Sequence, residues 1–266
     1  MHPVLLDTEW LRLPTYFTSL MVGFSLATFV LRREALRRGL PPRQVLDLAL
    51  WVVPLALVGA RLAHLVFVDS TSWLRNPLTL LSGGGFVFYG GAIGGVVAML
   101  GWARWTGRSA WVYGDCLAPA TAFGLAWGRL GCLGGGCCFG RPADWPLGFE
   151  VPWAVRYTRA VPIPDTLHGV ALHPSPLYAA AFALALFVGL SKLAERQRFD
   201  GQVTGAFLVA YGIGRILLEA TRADLNRGLY LDGWVSTSQA LSAVAIAVGV
   251  ARLVWPRAAP SAPTVG

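Results

Sequence analysis

The sequence predicts an all-α integral membrane protein, a seven-transmembrane helical bundle with a small external loop cap. Three observations carry that prediction. Of 266 residues, 55% are hydrophobic and 14% charged, whereas soluble domains carry about 25% charged residues. Seven windows, residues 14–31, 46–68, 85–103, 112–133, 175–191, 204–219 and 235–251, are apolar and approach or reach the roughly 17–25 residues that a bilayer crossing takes. The basic residues between those windows are divided unequally between alternate loops.

That division explains the net charge of +8. One set of loops holds twelve basic residues: Arg32, Arg33, Arg37, Arg38 and Arg43, then Arg104 and Arg108, Lys192, Arg196 and Arg198, and finally Arg252 and Arg257. The other set holds seven: Arg12, Arg75, Arg141, Arg156, Arg159, Arg222 and Arg227. Lys/Arg-rich loops stay cytoplasmic, so the N-terminus is expected outside and the C-terminus inside. The basic balance is therefore topological, aided by anionic headgroups, and no nucleic-acid partner is expected. His2 to Leu13 carries Asp7, Glu9 and Arg12 and lacks the basic-then-apolar order of a cleavable leader. The expected organisation is a single transmembrane domain over residues 1–257, its outer loop cap at about 134–174, and a Pro/Ala-rich disordered tail at 258–266.

The remaining basic residues, Arg61, Arg129 and Arg215, lie inside the apolar windows. A charge at bilayer depth costs about 2.5–3.5 kcal/mol on insertion scales, so such residues face a partner or a cavity. Each could instead snorkel or meet a helix-end carbonyl; three together point to a site for an anionic group. In the third window, seven glycines fall within residues 83–95, each weakening a helix by about 1 kcal/mol. That composition suits backbone that bends and lines a cavity. Gly90 and Gly94 also make a GxxxG step for close helix packing. Tyr89 would offer its hydroxyl there. In the sixth window Tyr211, Arg215, Glu219 and Arg222 recur at i, i+4, i+8 and i+11, one stripe of a helix. Arg215 and Glu219 can pair along it; the stripe serves either a site or a helix-to-helix bridge.

The cap is expected to be irregular or β, with Trp145, Phe149 and Trp153 at the interface. It ends in Leu172-His173-Pro174-Ser175-Pro176, whose prolines open the fifth helix. His173 is a base by chemistry, although a histidine beside proline is more often structural. Of four cysteines, Cys116 reads as a small core residue. Cys132, Cys137 and Cys138 cluster at the end of the fourth window. Their C-x4-C-C spacing is not a zinc pattern and no histidine lies near in sequence, so neither metal nor cofactor is expected. A disulfide from Cys132 to Cys137 or Cys138 suits an oxidising compartment; free thiols lining a site are the alternative.

At these residues the chain resembles the prolipoprotein diacylglyceryl transferase family over nearly its whole length. The resemblance rests on Tyr16, Gly59-Ala60-Arg61, the glycine-rich third window and Asp115 with Pro119. It continues through Gly128-Arg129-Leu130-Gly131, Gly140-Arg141-Pro142, His173-Pro174-Ser175, Tyr211-Gly212 with Arg215 and Glu219, and Ser238-Gln239. It implies a bacterial inner-membrane enzyme of lipoprotein biosynthesis that moves a diacylglyceryl group from phosphatidylglycerol to the lipobox cysteine of a secreted preprotein. It implies catalytic roles for Tyr89, Arg129, Arg215 and Glu219. It implies phospholipid binding by Tyr16, Arg61, Gly90, Gly91, Arg129, Gly140, Tyr211 and Arg215, with Arg129 and Arg215 on the phosphate. The chain also departs from the family. Tyr89 stands for the usual histidine, Cys132 and Gly135 for signature asparagines, Cys137 for a signature glutamate, and Ala179 for the glutamate after Tyr178. Two rival readings accompany these departures. One is a lipid or thiol transferase with a covalent intermediate on Cys137 or Cys138; the other is a non-catalytic lipid-binding export accessory.

Overall fold

A computed structural model describes residues 4–8, 12–67, 87–144, 150–158, 163–223, 229–230 and 235–256. Among them run seven helices: α1 (Thr15–Arg37), α2 (Pro42–Phe67), α3 (Phe88–Trp105), α4 (Ala110–Gly135), α5 (Ser175–Glu195), α6 (Gln202–Glu219) and α7 (Thr237–Val254). One helix covers most of each apolar window; residues 68 and 85–86 of those windows lie outside the described residues. Helices α1, α2, α5 and α7 are long and apolar enough to cross a membrane. Large side chains face outward along them, with Met21 71%, Phe29 66% and Phe67 82% exposed. Apolar surface of that extent is costly in water and costs nothing in lipid. The chain is an all-α membrane protein.

The described residues form two compact units, Leu31–Cys116 and Met1–Val30 with Leu117–Gly266. In the Leu31–Cys116 unit, α2 and α3 pack through glycines. A Cβ on Gly90 would run into the Gly59 carbonyl and Ala63, and one on Gly94 into the Leu55 carbonyl. The Val87 amide, just ahead of α3, donates to the Ala60 carbonyl at 3.0 Å. The composition suggested a bend, but α3 is continuous through Gly90, Gly91, Gly94 and Gly95. The reason is contact: at Gly90 and Gly94 the helical cost of glycine is offset by backbones meeting at a distance no side chain permits. Gly83–Gly85 lie outside the described residues.

The same unit holds an ion pair that the loop assignment after the first window missed. Helix α1 continues to Arg37, and Glu34 is fully buried. Its two carboxylate oxygens accept from Arg37 at 3.1 Å and Arg38 at 2.7 Å. Two of the twelve topological basic residues thus also neutralise a buried carboxylate.

In the other unit, Ala118 and Ala122 of α4, Leu186 and Leu190 of α5, and Val203 of α6 form a core cluster. Helices α6 and α7 approach through Gly205 and Gly249, where a Cβ on Gly205 would stand 3.1 Å from the Gly249 carbonyl. A capping box of Ser236 and Gln239 starts α7, and Pro176 lies in the first turn of α5. A short hairpin, β1 (Val4–Asp7) with β2 (Arg12–Pro14), precedes α1. The loop between α4 and α5 contains a two-residue pairing of β3 (Val155–Arg156) with β4 (Ala171–Leu172). Tyr157, Ile163 and Leu172 pack beneath it. Trp145, Phe149 and the tail lie outside the described residues.

Candidate active site

The site is built where α4 ends. Gly136 takes a φ of 75°, and the Cys137 amide donates to the Cys132 carbonyl at 3.1 Å. This is the six-to-one bond of a glycine-terminated helix end. Two residues on, Cys138 has a φ of 59°, the one positive φ at a non-glycine residue among those described. That backbone costs about 1–2 kcal/mol outside glycine, and strain of this kind concentrates at functional sites.

The chain then passes under α5 and α6. Gly140 bridges to Arg222, the Arg141 amide donates to the Thr221 carbonyl at 2.9 Å, and Arg141 Nε donates to the Arg222 carbonyl at 3.2 Å. Ser175 Oγ, at the start of α5, donates to the same Thr221 carbonyl at 2.9 Å. A Cβ on Gly140 would strike the His173 carbonyl and come within 2.6 Å of Ser175 Oγ, so only glycine fits. These bonds tie the end of α4, the start of α5 and the end of α6 together.

Between those three ends lies a partly open cavity, about 500 Å³ with the space at its mouth included. Arg129 of α4, Arg215 of α6 and Arg222 just beyond α6 reach it, with Tyr211, Cys138 and Ser175. Leu125, Ala179, Phe182, Ala183 and Leu218 supply the apolar wall. Three guanidiniums against an apolar wall suit a phosphate carrying acyl chains, since planar forks bind phosphate oxygens in pairs.

Two arginines are oriented by partners. Arg215 Nη1 donates to Glu219 Oε2 one turn along α6. Ser238 Oγ of α7 donates to the same oxygen at 3.1 Å, and Glu219 is 6% exposed. One of the five guanidinium donors is thereby used and the rest can face a ligand. Arg129 Nη1 stands 3.7 Å from Cys138 Sγ. Tyr16, in the first turn of α1, backs the same corner: its Cβ lies 3.5 Å from where a Gly135 Cβ would be.

Cys132, Cys137 and Cys138 bring their sulfurs within 4.8 Å of one another, and all are free thiols. Of the two readings for these cysteines, disulfide or thiols at a site, the structure has thiols with Cys138 on the cavity wall. The Cys138 thiol is held far below its ordinary range. Hydrogen bonding to Cys132 is the main cause, then that to Cys137, with Arg222 and Arg129 adding against the effect of burial.

His173 is buried, its Nδ1 3.0 Å from the Tyr178 hydroxyl, which also accepts from Trp153 Nε1 at 2.6 Å. This is a bonded chain at the base of the cap. Arg61, Tyr89, Gly90 and Gly91 belong to the Leu31–Cys116 unit. There Arg61 and Tyr89 are half-buried, and a Cβ on Gly91 would lie 3.3 Å from the Ala56 carbonyl of α2. Sequence reasoning did not assign Arg222 or Ser175 to the site. Arg222 was legible as the last member of the α6 stripe but had been counted with the loop charges.

The fold and the cavity define a helical membrane protein with a polybasic site among apolar walls. The family model for prolipoprotein diacylglyceryl transferase matches residues 3–255. The chain is 36% identical over 262 residues to a phosphatidylglycerol–prolipoprotein diacylglyceryl transferase of Methylibium petroleiphilum, covering 95% of each. It is 34% identical over 255 residues to one of Solidesulfovibrio magneticus, covering 93% of this chain and 92% of that one. It is 28% identical over 251 residues to one of Clostridium tetani, covering 94% and 96%. The chain belongs to the prolipoprotein diacylglyceryl transferase family.

Proposed function

We propose that the protein transfers a diacylglyceryl group from phosphatidylglycerol to the lipobox cysteine of a secreted preprotein. The observation that carries this reading is the convergence of Arg129 and Arg215, from two helices, on one apolar-walled cavity. Their guanidiniums bind the phosphodiester, and Phe182, Ala183 and Leu218 line the way for the acyl chains. As the acceptor sulfur forms its bond to the glyceryl carbon, the carbon–oxygen bond to phosphate breaks and glycerol phosphate departs. Negative charge gathers on the leaving phosphate, so arginines fixed beforehand stabilise the transition state more than the ground state. Glu219 and Ser238 act as positioning residues for Arg215.

All seven helices cross the membrane as one catalytic domain, with the N-terminus and the α4–α5 cap outside and the C-terminus cytoplasmic. Residues Arg61, Tyr89, Gly90 and Gly91 contribute to lipid binding and, for Tyr89, to the transfer step; their support is the family resemblance. A bacterial strain depleted of its own transferase tests the reading. Expression of this chain is expected to restore lipidation of a reporter preprotein, and unlipidated reporter at normal expression overturns it.

A further inference from the structure

Among the described residues that line the cavity with the three arginines there is no histidine, aspartate or glutamate. A cysteine thiol arriving there must lose its proton, and those described residues offer no neutral-pH base for it. Beside the wall stands the three-sulfur group. Cys132 comes from the last turns of α4 and Cys137 and Cys138 from the turn after it, and their sulfurs lie within 4.8 Å of one another. Sulfurs on one zinc ion, each about 2.3 Å from it, are about 4 Å apart, so a small contraction closes them on a cation. No fourth histidine, cysteine or carboxylate joins the group among the described residues. Three protein ligands and an open fourth position are the pattern of a catalytic rather than a structural zinc site. The strained φ of 59° at Cys138 brings the third sulfur into the group and onto the cavity wall.

We propose that Cys132, Cys137 and Cys138 bind a thiophilic divalent cation, Zn²⁺, whose open position takes the thiol of the acceptor cysteine. The proposal rests on the transferase reading for the identity of that acceptor. On coordination the acceptor thiol gives its proton to water, because a metal-bound thiol is deprotonated outright. The resulting thiolate forms the carbon–sulfur bond, the carbon–oxygen bond to phosphate breaks, and glycerol phosphate leaves with the electron pair. No oxidant or reductant is needed. The three cysteines act as ligands, not as a nucleophile whose thioether product would be a poor leaving group. C-x4-C-C reads against zinc in sequence because the helix end, not the spacing, gathers the sulfurs. Three thiolates around Zn²⁺ leave one net negative charge, and Arg129, 3.7 Å from Cys138 Sγ, balances it.

The test uses the full chain, purified in detergent under a phosphine reductant, with Co²⁺ as the spectroscopic probe. The parent is expected to take up a single equivalent of Co²⁺, with sulfur-to-cobalt charge-transfer bands in the near ultraviolet and tetrahedral ligand-field bands in the visible. Cys132→Ser, Cys137→Ser and Cys138→Ser should each lose the bands. Cys137→His, which keeps a ligand, should retain them with a shifted position and guards against loss through misfolding. A lipobox peptide should perturb the bands, and its Cys→Ser version should not. A reduced parent without sulfur-to-cobalt bands, or bands that survive all three serine variants, overturns the site. Bands indifferent to the cysteine peptide overturn the acceptor role. Phosphatidylglycerol-dependent transfer is measured separately: if it is absent while the bands appear and respond to peptide, the transferase reading fails and the metal site stands.

Discussion

Arg129 Nη1 and Cys138 Sγ, nine residues apart on either side of the end of α4, stand 3.7 Å from each other on the wall of one cavity. The contact exists because α4 ends in a tight six-to-one turn and not in a frayed coil. It couples the cation proposed to bind phosphate to the sulfur group that borders it. The site depends on this turn, on the Arg215–Glu219 pair and on the Gly140 crossing, and each can be tested alone.

Removing either cavity arginine should disable transfer; Arg129→Ala should spare the fold, whereas Arg215→Ala also removes the cation paired with the buried Glu219 and should lower stability. A charged hydrogen bond is worth about 1.5–3 kcal/mol, so Arg129→Ala and Arg215→Ala should each lower initial transfer rates by at least about tenfold. Lysine should recover little, because an ammonium cannot form the paired contacts of a guanidinium. Rates on phosphatidylglycerol vesicles at matched protein levels check this.

Glu219→Gln should act through Arg215. It weakens the pair along α6 and the bond from Ser238, so Arg215 loses its orientation and a buried charge loses its partner. Such losses run to about 3–5 kcal/mol when a buried pair is broken; the retained amide oxygen should keep the loss below that. Ser238→Ala, which removes one donor to the carboxylate, should cost about 1.5–3 kcal/mol. The variants should depress the catalytic rate more than lipid affinity, which a split of kcat from KM reads directly.

Gly140→Ala should unseat the crossing under α5 and α6, since its methyl meets the His173 carbonyl and Ser175 Oγ. Forcing atoms into a packed site costs about 1–3 kcal/mol. Gly189→Ala, on α5 with nothing within 4 Å of its Cβ, should be neutral or mildly stabilising. Thermal unfolding of the two variants in one detergent separates them.

Gly90→Ala should destabilise the α2–α3 pair, since its methyl faces the Gly59 carbonyl and Ala63. A comparable cost of about 1–3 kcal/mol is expected. A cavity-lining glycine that touches nothing would instead tolerate alanine, so the melting temperature of this variant distinguishes packing from lining.

The helices were legible because apolar length is a one-dimensional signal, and one helix covers most of each of the seven windows. Arg129, Arg215 and Glu219 were legible because charge inside such a window is costly and must face something. What the sequence hid depends on three-dimensional closure. Glu34 fell in a charge-rich stretch that resembles a loop, yet α1 carries it into a buried pair with Arg38. Gly90 and Gly94 satisfied both a bend and a packing step, and only the partner carbonyls on α2 decide between them. The three cysteines gave no metal spacing because a helix end brings Cys132 back against Cys137 and Cys138. Arg222 reads as a loop charge in the sequence because its reach into the cavity depends on the bridge to Gly140.

The most direct measurement is in vitro transfer with purified protein. Vesicles carrying phosphatidylglycerol labelled in its diacylglyceryl part are mixed with a lipobox preprotein, and the label on the preprotein is followed by mass spectrometry beside release of glycerol phosphate. Diacylglyceryl thioether is expected on the lipobox cysteine with one glycerol phosphate released per adduct, and neither product with Arg129→Ala or with a serine lipobox. Lipid bound by the parent with no adduct on the preprotein, or an adduct formed equally well by Arg129→Ala, would contradict the proposed transfer.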